Sequence, residues 1–278
     1  MKISALINTL NEENNIEDCL KSLVSWVDEI IIVDMYSDDR TIEIAKKYTD
    51  KIFYFERVGY ADPARAFALD KASNEWIIVL DADEIIPKNL SEYLISLAKG
   101  NEHDAIWIPR RNFMFGKEIK HTGWGALQDK QMRFFRKHVM SYGSEVHNFV
   151  HISENARIYI IDKVEFSIIH FNYTDINHFI EKLNRYTTIE AKQLYRNNYK
   201  KITNVDIIKE FIKEFFLRYF RNKGFKDGFY GLYLSILMGV YKATTLAKLR
   251  LMNDVNEIDS NSAIFSKYKK IADKFLIK

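Results

Sequence analysis

Short apolar runs alternate with amphipathic segments along the N-terminal part of the chain. The runs Ile3–Ile7, Glu29–Asp34 and Trp76–Leu80 are too short for helices and have the length and composition of buried strands. Between them apolar residues recur at helical spacing, as they do from Ile16 to Val24. With a further strand at Lys51–Glu56, the order β-α-β-α-β-α-β up to Asp83 predicts a Rossmann-like α/β domain with a mostly parallel central sheet.

The pattern changes twice in the second half of the chain. Further strands are predicted at Ala105–Arg110, Gln131–Phe135 and Lys163–Phe171, and a loop rich in glycine, lysine and aromatic residues occupies Phe113–Gly125. After Asp175 the apolar residues follow helical periodicity up to the lysine-rich C-terminus. The sequence therefore predicts a helical extension behind the α/β domain.

Composition limits the classes of function. A net charge of +3 over 278 residues is too small to indicate a nucleic-acid partner. Cys19 is the only cysteine, so no internal disulfide forms and a reducing compartment fits. The N-terminus enters a strand pattern without a signal peptide, and the longest uncharged run of the C-terminal half, Phe229–Tyr241, has 13 residues. We expect a cytoplasmic protein, either soluble or peripheral at the inner face of a membrane.

Asp81 and Asp83 follow the buried strand Trp76–Leu80 directly. In an extended chain residues two apart point to the same side, so both carboxylates could face one ligand. Hard oxygen donors at the carboxyl end of a strand suit Mg²⁺ or Mn²⁺ carrying a nucleotide diphosphate. About one Asp-x-Asp arises by chance in a chain of this make-up, and the alternative is an acidic turn that caps the helix after Pro87.

The other strand ends carry polar residues too. Asn8, Asp34 and Asp81 should cluster along one edge of the sheet, where an amide and acids suit a nucleoside base, a ribose and a metal. No Gly-x-Gly-x-x-Gly follows the first strand, which argues against a dinucleotide-dependent dehydrogenase.

An ordered set of short motifs over nearly the whole chain resembles family 2 glycosyltransferases of GT-A fold. Within that family it is similar to the branch of lipopolysaccharide- and lipooligosaccharide-core β-glucosyltransferases, and also to peptide S-glycosyltransferases. The motifs are Thr9 to Glu13, Ile32 to Asp34 with Ser37 and Asp39, Leu80 to Glu84, Pro109 to Phe113, Trp124, Asp129 to Arg136, Val146-His147, Lys182 to Tyr186 and Lys223 to Gly228.

The resemblance implies roles for individual residues. The residues that would bind the donor are Thr9, Leu10, Asn11, Glu12, Asp34, Arg65, Asp81, Ala82 and Asp83. Mn²⁺ or Mg²⁺ would be held by Asp83 and His147. Trp124, Gln131, Arg133 and Glu145 would belong to the acceptor side. Residues 1–112 then form the nucleotide-sugar-binding half of the domain, 113–174 the half that binds acceptor and completes the metal site, and 175–278 the helical region.

Asp129 is the predicted general base, because it follows the flexible Gly123–Gly125 segment and precedes a strand. Partial desolvation should raise its pKa. Glu145 and His147 are the alternatives, and a structural role for Asp129 would be a strand cap or an ion pair with Arg133. His170, on an apolar strand, is interpreted as a buried core histidine.

The resemblance implies an inverting transferase that moves a sugar, expected to come from a UDP-hexose, to a hydroxyl of a core or other surface glycan or glycolipid. The alternatives are a peptide glycosyltransferase and a non-catalytic sugar-nucleotide-binding protein. Phe211, Phe215, Phe216, Tyr219 and Phe220 lie among lysines and arginines. These residues indicate either contact with a membrane surface or packing in a core or homodimer.

Overall fold

The computed structural model describes residues 1–57, 62–141, 151–199 and 201–276. The chain divides into two units, Met1–Thr174 and Asp175–Lys278. The first unit carries all of the β-strands found in the described residues, and the second is helical.

A ten-stranded sheet organises the first unit. Its strands follow the order β3-β2-β1-β4-β8-β6-β12-β5, and β7 and β11 pair with β6. The strands are β1 Ile3–Thr9, β2 Glu29–Asp34, β3 Ile52–Tyr54, β4 Trp76–Asp81, β5 Glu84–Ile85, β6 Ala105–Met114, β7 Lys117–Glu118, β8 Lys130–Arg136, β11 Ile158–Ile160 and β12 Ile168–Phe171; β9 Met140–Ser141 and β10 His151–Ile152 form a separate pair. Strands β1 to β4 are mutually parallel, and β8 runs antiparallel to β4 and β6. The predicted Rossmann-like, mostly parallel sheet is confirmed.

Helices cover both faces of this sheet. They are α1 Ile16–Lys21, α2 Thr41–Ala45, α3 Asp62–Lys71 and α4 Lys88–Gly100. Side chains of a strand alternate between faces, so Ile3, Ala5 and Ile7 of β1 join the core that includes α1, α2 and α4, while Leu6 joins the core of α3. Burial on both faces explains why these strands are continuous apolar runs. Cys19 is fully buried, as its helical position predicts.

The structure departs from the sequence prediction in the second half of the sheet. The predicted strand Lys163–Phe171 is a 3₁₀ turn at Val164–Phe166 followed by β12. The short strand β5 was not predicted, because two residues after a turn have no detectable periodicity. It pairs antiparallel with β12, which places His170 opposite Glu84.

The second unit confirms the predicted helical extension. It contains α5 Ile176–Arg196, α6 Asn204–Phe216, a π-helical turn Leu217–Arg221, a 3₁₀ turn Gly224–Asp227, α7 Gly228–Val255 and α8 Ser260–Leu276. Residues of α5 and α7 share a small core of Ala191, Leu246, Leu249 and Met252. In the described part of the chain, no helix combines the length and the apolar character needed to cross a bilayer.

Candidate active site

Polar side chains meet at the carboxyl edge of the parallel strands, as the sequence predicts. In the sheet register Asn8 lies opposite Asp81 of β4, and Thr9 lies opposite Asp34 of β2. Asn8 and Asp81 project to the α3 face, since Leu6 and Val79, two residues earlier on the same strands, pack in that core. Arg65 of α3 reaches this row and donates a hydrogen bond of 2.5 Å to Asp81 Oδ1.

Three carboxylates alternate with three guanidiniums at this edge of the sheet. The carboxylates are Asp81 at the end of β4, Glu84 on β5 and Asp129 directly before β8, and the guanidiniums are Arg65 on α3, Arg110 on β6 and Arg133 on β8. Arg133 Nη2 donates to Asp81 Oδ2 at 2.6 Å and to Glu84 Oε1 at 3.0 Å. Arg110 Nη1 donates to Glu84 Oε1 at 2.9 Å, and its Nε donates to Asp129 Oδ2 at 2.9 Å. Glu84 is fully buried, and its other oxygen accepts from the backbone N–H of Asp81 at 3.0 Å. Glu84 therefore fixes both arginines and the end of β4.

The ion pairs set the protonation state of this cluster. Burial disfavours the Asp81 carboxylate, but the Arg133 and Arg65 guanidiniums together lower its pKa well below the usual range. Burial likewise opposes the charge on Arg133, yet Asp81 and Glu84 raise its pKa. Asp81, Glu84, Arg65 and Arg133 form a tightly paired group with little net charge of its own.

Asp129 belongs to the same network, and its pKa is lowered where the sequence predicted a raised one. Burial favours its neutral form, but the Arg110 charge and hydrogen bonds from Asn112 and Gln131 lower the pKa of Asp129. Asn112 Nδ2 donates to Oδ2 at 2.7 Å, and Gln131 Nε2 donates to Oδ1 at 2.7 Å. The expected raised pKa is wrong, because desolvation is outweighed by these donors. The ion-pair partner is Arg110 and not Arg133.

Asp83 has a different environment from Asp81. Strand β4 ends at Asp81, so Asp83 lies in the turn before β5, and the spacing rule for extended chains does not apply to this pair. Its Oδ2 lies 3.4 Å from His170 Nε2, and both side chains are about nine-tenths buried. His170 Nδ1 lies 2.6 Å from Asn112 Oδ1. A chain of contacts, Asp83–His170–Asn112–Asp129, thus joins residues far apart in sequence.

His170 was interpreted as a core histidine, and it is buried, but its ring faces polar partners in the site. Glu84, Arg110 and Asn112 were also absent from the predicted site residues. The available signal was that all three fall within motifs of the resemblance but were given no role there. Glu84 belongs to Leu80 to Glu84, and Arg110 and Asn112 belong to Pro109 to Phe113. Their contacts depend on pairing of β6 with β8 and β12, which no local pattern shows.

The loops after β1 and β2 are fastened to each other. Asn11 N–H donates to Ser37 Oγ at 2.9 Å, its Oδ1 accepts from Asp38 N–H at 2.8 Å, and Glu12 N–H donates to Thr41 Oγ1 at 2.8 Å. Asp34 is fully buried and accepts two hydrogen bonds from Ser37, at 2.9 and 2.6 Å. Donor binding by Asp34 stays a prediction, and in this structure its carboxylate organises the loop.

Asn8 stands out because its side-chain amide is buried without a partner. The residue is 5% exposed, and neither Oδ1 nor Nδ2 accepts or donates a hydrogen bond within the described residues. The neighbouring Thr9 Oγ1 shares this property. Leaving a buried amide unpaired costs about 1–3 kcal/mol, and such a group is well placed to bond a polar ligand.

The predicted acceptor residues divide between described and undescribed segments. Trp124 O accepts from Asn112 Nδ2 at 2.9 Å, which ties the loop to the site. The same loop turns tightly at Gly125, where a Cβ would collide with the Lys120 carbonyl oxygen. Gln131 and Arg133 contact Asp129 and Asp81, as given above. Glu145 and His147 lie outside the described residues. Of the other residues predicted to bind the donor, Ala82 between β4 and β5 is buried and Leu10 after β1 is partly buried.

The family model described as glycosyl transferase family 2 matches residues 4–154, which is more than half of the chain. The chain belongs to glycosyl transferase family 2. This confirms the family assignment made on the motifs, and the match spans the residues predicted to bind the donor, Asp129 and the strands that carry Arg110 and Arg133.

Relatives match this family member along nearly its whole length. The lipopolysaccharide core biosynthesis glycosyltransferase LpsC of Rhizobium meliloti is 30% identical, over 90% of this chain and 92% of that protein. An uncharacterized glycosyltransferase of Rickettsia felis is 28% identical, over 96% of this chain and 97% of its own. Among solved structures, S. aureus TarS 1–349 in complex with UDP-GlcNAc is similar at a TM-score of 0.47 and 16% identity, covering 97% of this chain and 92% of that chain.

Proposed function

We propose that this family 2 glycosyltransferase moves a sugar, with inversion at the anomeric carbon, from a UDP-hexose to a hydroxyl of a lipopolysaccharide- or lipooligosaccharide-core acceptor. The observation that carries the proposal is the chain of polar contacts that joins Asp83, His170, Asn112 and Asp129 at the carboxyl edge of the sheet. In it, a carboxylate suited to a metal–diphosphate and a carboxylate suited to proton transfer are tied into one rigid network.

Residues 1–112 are assigned to the donor and residues 113–174 to the acceptor. The loops at Thr9 to Glu12 and at Asp34 would enclose the nucleoside, and Asn8 would bond one of its polar groups. Arg65 would approach the diphosphate, since Asp81 already holds its guanidinium at the sheet edge. Keeping the arginine ordered before the donor arrives lowers the entropy lost on binding.

The donors at Asp83 and His170 fit a divalent ion of the kind the family implies. A carboxylate oxygen and an imidazole nitrogen 3.4 Å apart can bind one ion together, and both suit Mn²⁺, while the oxygen suits Mg²⁺. In the described ranges no group of three or more His, Cys, Asp and Glu could hold a metal. The diphosphate would supply further oxygens, as it commonly does for Mg²⁺, and His147 stays a predicted ligand outside the described residues. When bound, the ion supplies positive charge that neutralises the leaving nucleotide.

Asp129 is proposed as the base that takes the acceptor hydroxyl proton. Its lowered pKa keeps it ionised at neutral pH, so it is ready to accept a proton. Arg110, Asn112 and Gln131 fix the orientation of the carboxylate. We place the reaction in the cytoplasm, with the acceptor presented at a membrane surface.

Substitution of Asn8 tests whether its unpaired side-chain amide binds the donor. We expect Asn8→Leu to leave the melting temperature unchanged or raised, because it removes two unsatisfied buried polar atoms. We expect UDP-sugar affinity to fall about tenfold, the equivalent of about 1.4 kcal/mol, when the amide can no longer bond the donor. Calorimetric titration and thermal unfolding measure the two effects, with Asn253→Leu at an exposed position of α7 as the control. A lower melting temperature with unchanged affinity would assign Asn8 a structural role.

A donor screen tests the function itself. The protein is mixed with Mn²⁺ and UDP-glucose, UDP-galactose, UDP-N-acetylglucosamine, or GDP- and dTDP-sugars, and nucleotide release is followed with and without a truncated core glycolipid. We expect one UDP-hexose to give release that depends on the glycolipid. Release that instead requires a peptide acceptor would favour the peptide transferase. Tight binding with neither transfer nor hydrolysis would favour a sugar-nucleotide-binding protein.

A further inference from the structure

The exposed side chains between residues 205 and 229 are, apart from Gly228, either apolar or basic. We call this set the 205–229 face. Its apolar members are Val205, Ile208, Ile212, Phe216, Phe220, Phe225 and Phe229, and its basic members are Lys209, Lys213, Arg221, Lys223 and Lys226. Val205 is 71% exposed, Ile208 60% and Phe229 66%. Soluble surfaces rarely expose so many large apolar side chains together, so such a patch marks an interaction surface.

The helical geometry explains why these side chains share one side of α6. Val205, Ile208, Ile212 and Phe216 follow the spacing i, i+3, i+7, i+11, which is one stripe of an α-helix. The π-helical turn then carries Phe220, whose ring centroid lies 5.0 Å from that of Phe216. A different side of α6 packs on α7, where a Cβ at Gly239 would lie 2.9 Å from the Phe211 ring. The apolar stripe therefore lies on a side of α6 that does not pack on α7, and its side chains stay exposed.

The five aromatic residues singled out in the sequence differ in how far their side chains are exposed. Phe216 and Phe220 are more than half exposed, whereas Phe211, Phe215 and Tyr219 are partly buried. Phe215 and Tyr219 stack on each other with a centroid distance of 5.5 Å. Only part of the aromatic cluster is available to a partner.

The charge of the 205–229 face indicates which kind of partner it can bind. Four acids lie in the same stretch, none of them exposed, and three are engaged locally. Asp206 forms a capping box with Thr203, Glu210 accepts from Lys213 at 3.3 Å, and Glu214 accepts from Arg218 at 2.5 Å. All five exposed charged residues are basic, so the face is complementary to a negative surface. Two copies of this face brought together would oppose ten positive charges, which argues against self-association through it.

We propose that the 205–229 face docks on a bilayer surface rich in anionic phospholipid. The isoleucine and phenylalanine side chains enter the boundary between headgroups and acyl chains, while the lysine and arginine side chains extend to the lipid phosphates. Each basic side chain near such a surface adds electrostatic attraction, which salt screens. The proposal goes beyond the transfer reaction, since it concerns a surface of the helical unit and holds for any acceptor.

Vesicle flotation without donor or acceptor tests this surface independently of catalysis. We expect the full-length protein to float with phosphatidylglycerol-containing phosphatidylcholine vesicles, to float much less with pure phosphatidylcholine, and to be released as NaCl is raised. The triple variant Lys209→Glu/Arg221→Glu/Lys226→Glu should lower the partition coefficient at least tenfold. Its control, Lys46→Glu/Lys47→Glu/Lys99→Glu, changes net charge equally at exposed sites of the first unit and should bind like wild type.

A second pair of substitutions separates insertion from simple charge attraction. Phe216→Ser/Phe220→Ser should lower binding while leaving its salt dependence in place, because it removes apolar contact only. Failure of wild type to float, or equal loss in the two triple variants, would overturn the proposal. So would a wild-type oligomer that dissociates in Phe216→Ser/Phe220→Ser, since the face would then be a protein contact. Circular dichroism of each variant checks that the helices remain folded.

Discussion

Asp83→Ala is expected to abolish sugar transfer, and EDTA is expected to inhibit the unmodified protein reversibly. Asp81, Glu84 and Asp129 are each paired with a guanidinium, whereas the partner that the structure gives Asp83 is His170. Asp83 is therefore the carboxylate of the cluster best able to bind a cation. Losing the charge that neutralises a departing diphosphate raises the barrier by several kcal/mol, which is a loss of a thousandfold or more.

Turnover at saturating UDP-sugar, measured across a Mn²⁺ titration, checks this expectation. Asp70→Ala is the matched control, because Asp70 is an exposed acid of α3 and should not affect the rate. His170→Ala should weaken the apparent Mn²⁺ affinity while leaving some activity at high Mn²⁺. Full activity of the wild type in EDTA would overturn the metal assignment, whatever the behaviour of the variants.

Asp129→Asn is expected to cut kcat by about 10²–10⁴ while UDP-sugar affinity stays near wild type. An amide keeps the size of the side chain but cannot take the acceptor proton. The change also disturbs hydrogen bonds from Asn112 and Gln131 and the ion pair with Arg110, so stability must be measured in the same preparation.

Glu118→Gln supplies a matched control for Asp129→Asn. Glu118 accepts two hydrogen bonds from Arg111, at 2.7 and 2.9 Å, so the control also breaks a bidentate arginine pair beside β6. Its kcat should remain near wild type. If Asp129→Asn instead lost donor binding and kept its turnover at saturation, Asp129 would be a structural residue and Glu145 or His147 the next candidate.

The lowered pKa also fixes how Asp129 should appear in a pH profile. A carboxylate whose pKa is lowered stays unprotonated throughout the neutral range and loses its charge only as the pH falls below the usual carboxyl range. Asp129 should therefore produce no loss of kcat/KM between about pH 6 and 8. A limb of kcat/KM near pH 6 that disappears in Asp129→Asn would contradict the lowered pKa, whereas such a limb in kcat alone would show that the acceptor complex raises the pKa of this residue.

Local sequence patterns predicted most of the parallel half of the sheet. The apolar runs of β1, β2 and β4 carry their own signal, because burial on both faces leaves no room for polar alternation. The clustering of Asn8, Asp34 and Asp81 followed from parallel topology alone. Helices α5 and α6 were equally easy to predict, since each has an apolar stripe at helical spacing.

The contacts that complete the site could not be read from the sequence. Glu84 lies in a two-residue strand, and its role depends on arginines from β6 and β8, 26 and 49 residues away. The Asp129 prediction failed on the sign of its pKa for the same reason, because Arg110 and Asn112 reach it through strand pairing. His170 looked like a core residue because its neighbours on β12 are apolar. Its partner Asp83 lies in the β4–β5 turn, and it comes close to His170 only because β12 pairs with β5.

The most direct test of the central claim is the stereochemistry of the product. The protein is incubated with Mn²⁺, a truncated core acceptor and the α-linked UDP-hexose selected by the donor screen, and the anomeric configuration is read by NMR while released UDP is quantified. We expect a β-linked product and one UDP for each glycosidic bond formed. An α-linked product would contradict inversion with Asp129 as the base, and bound donor with no product at all would contradict catalysis.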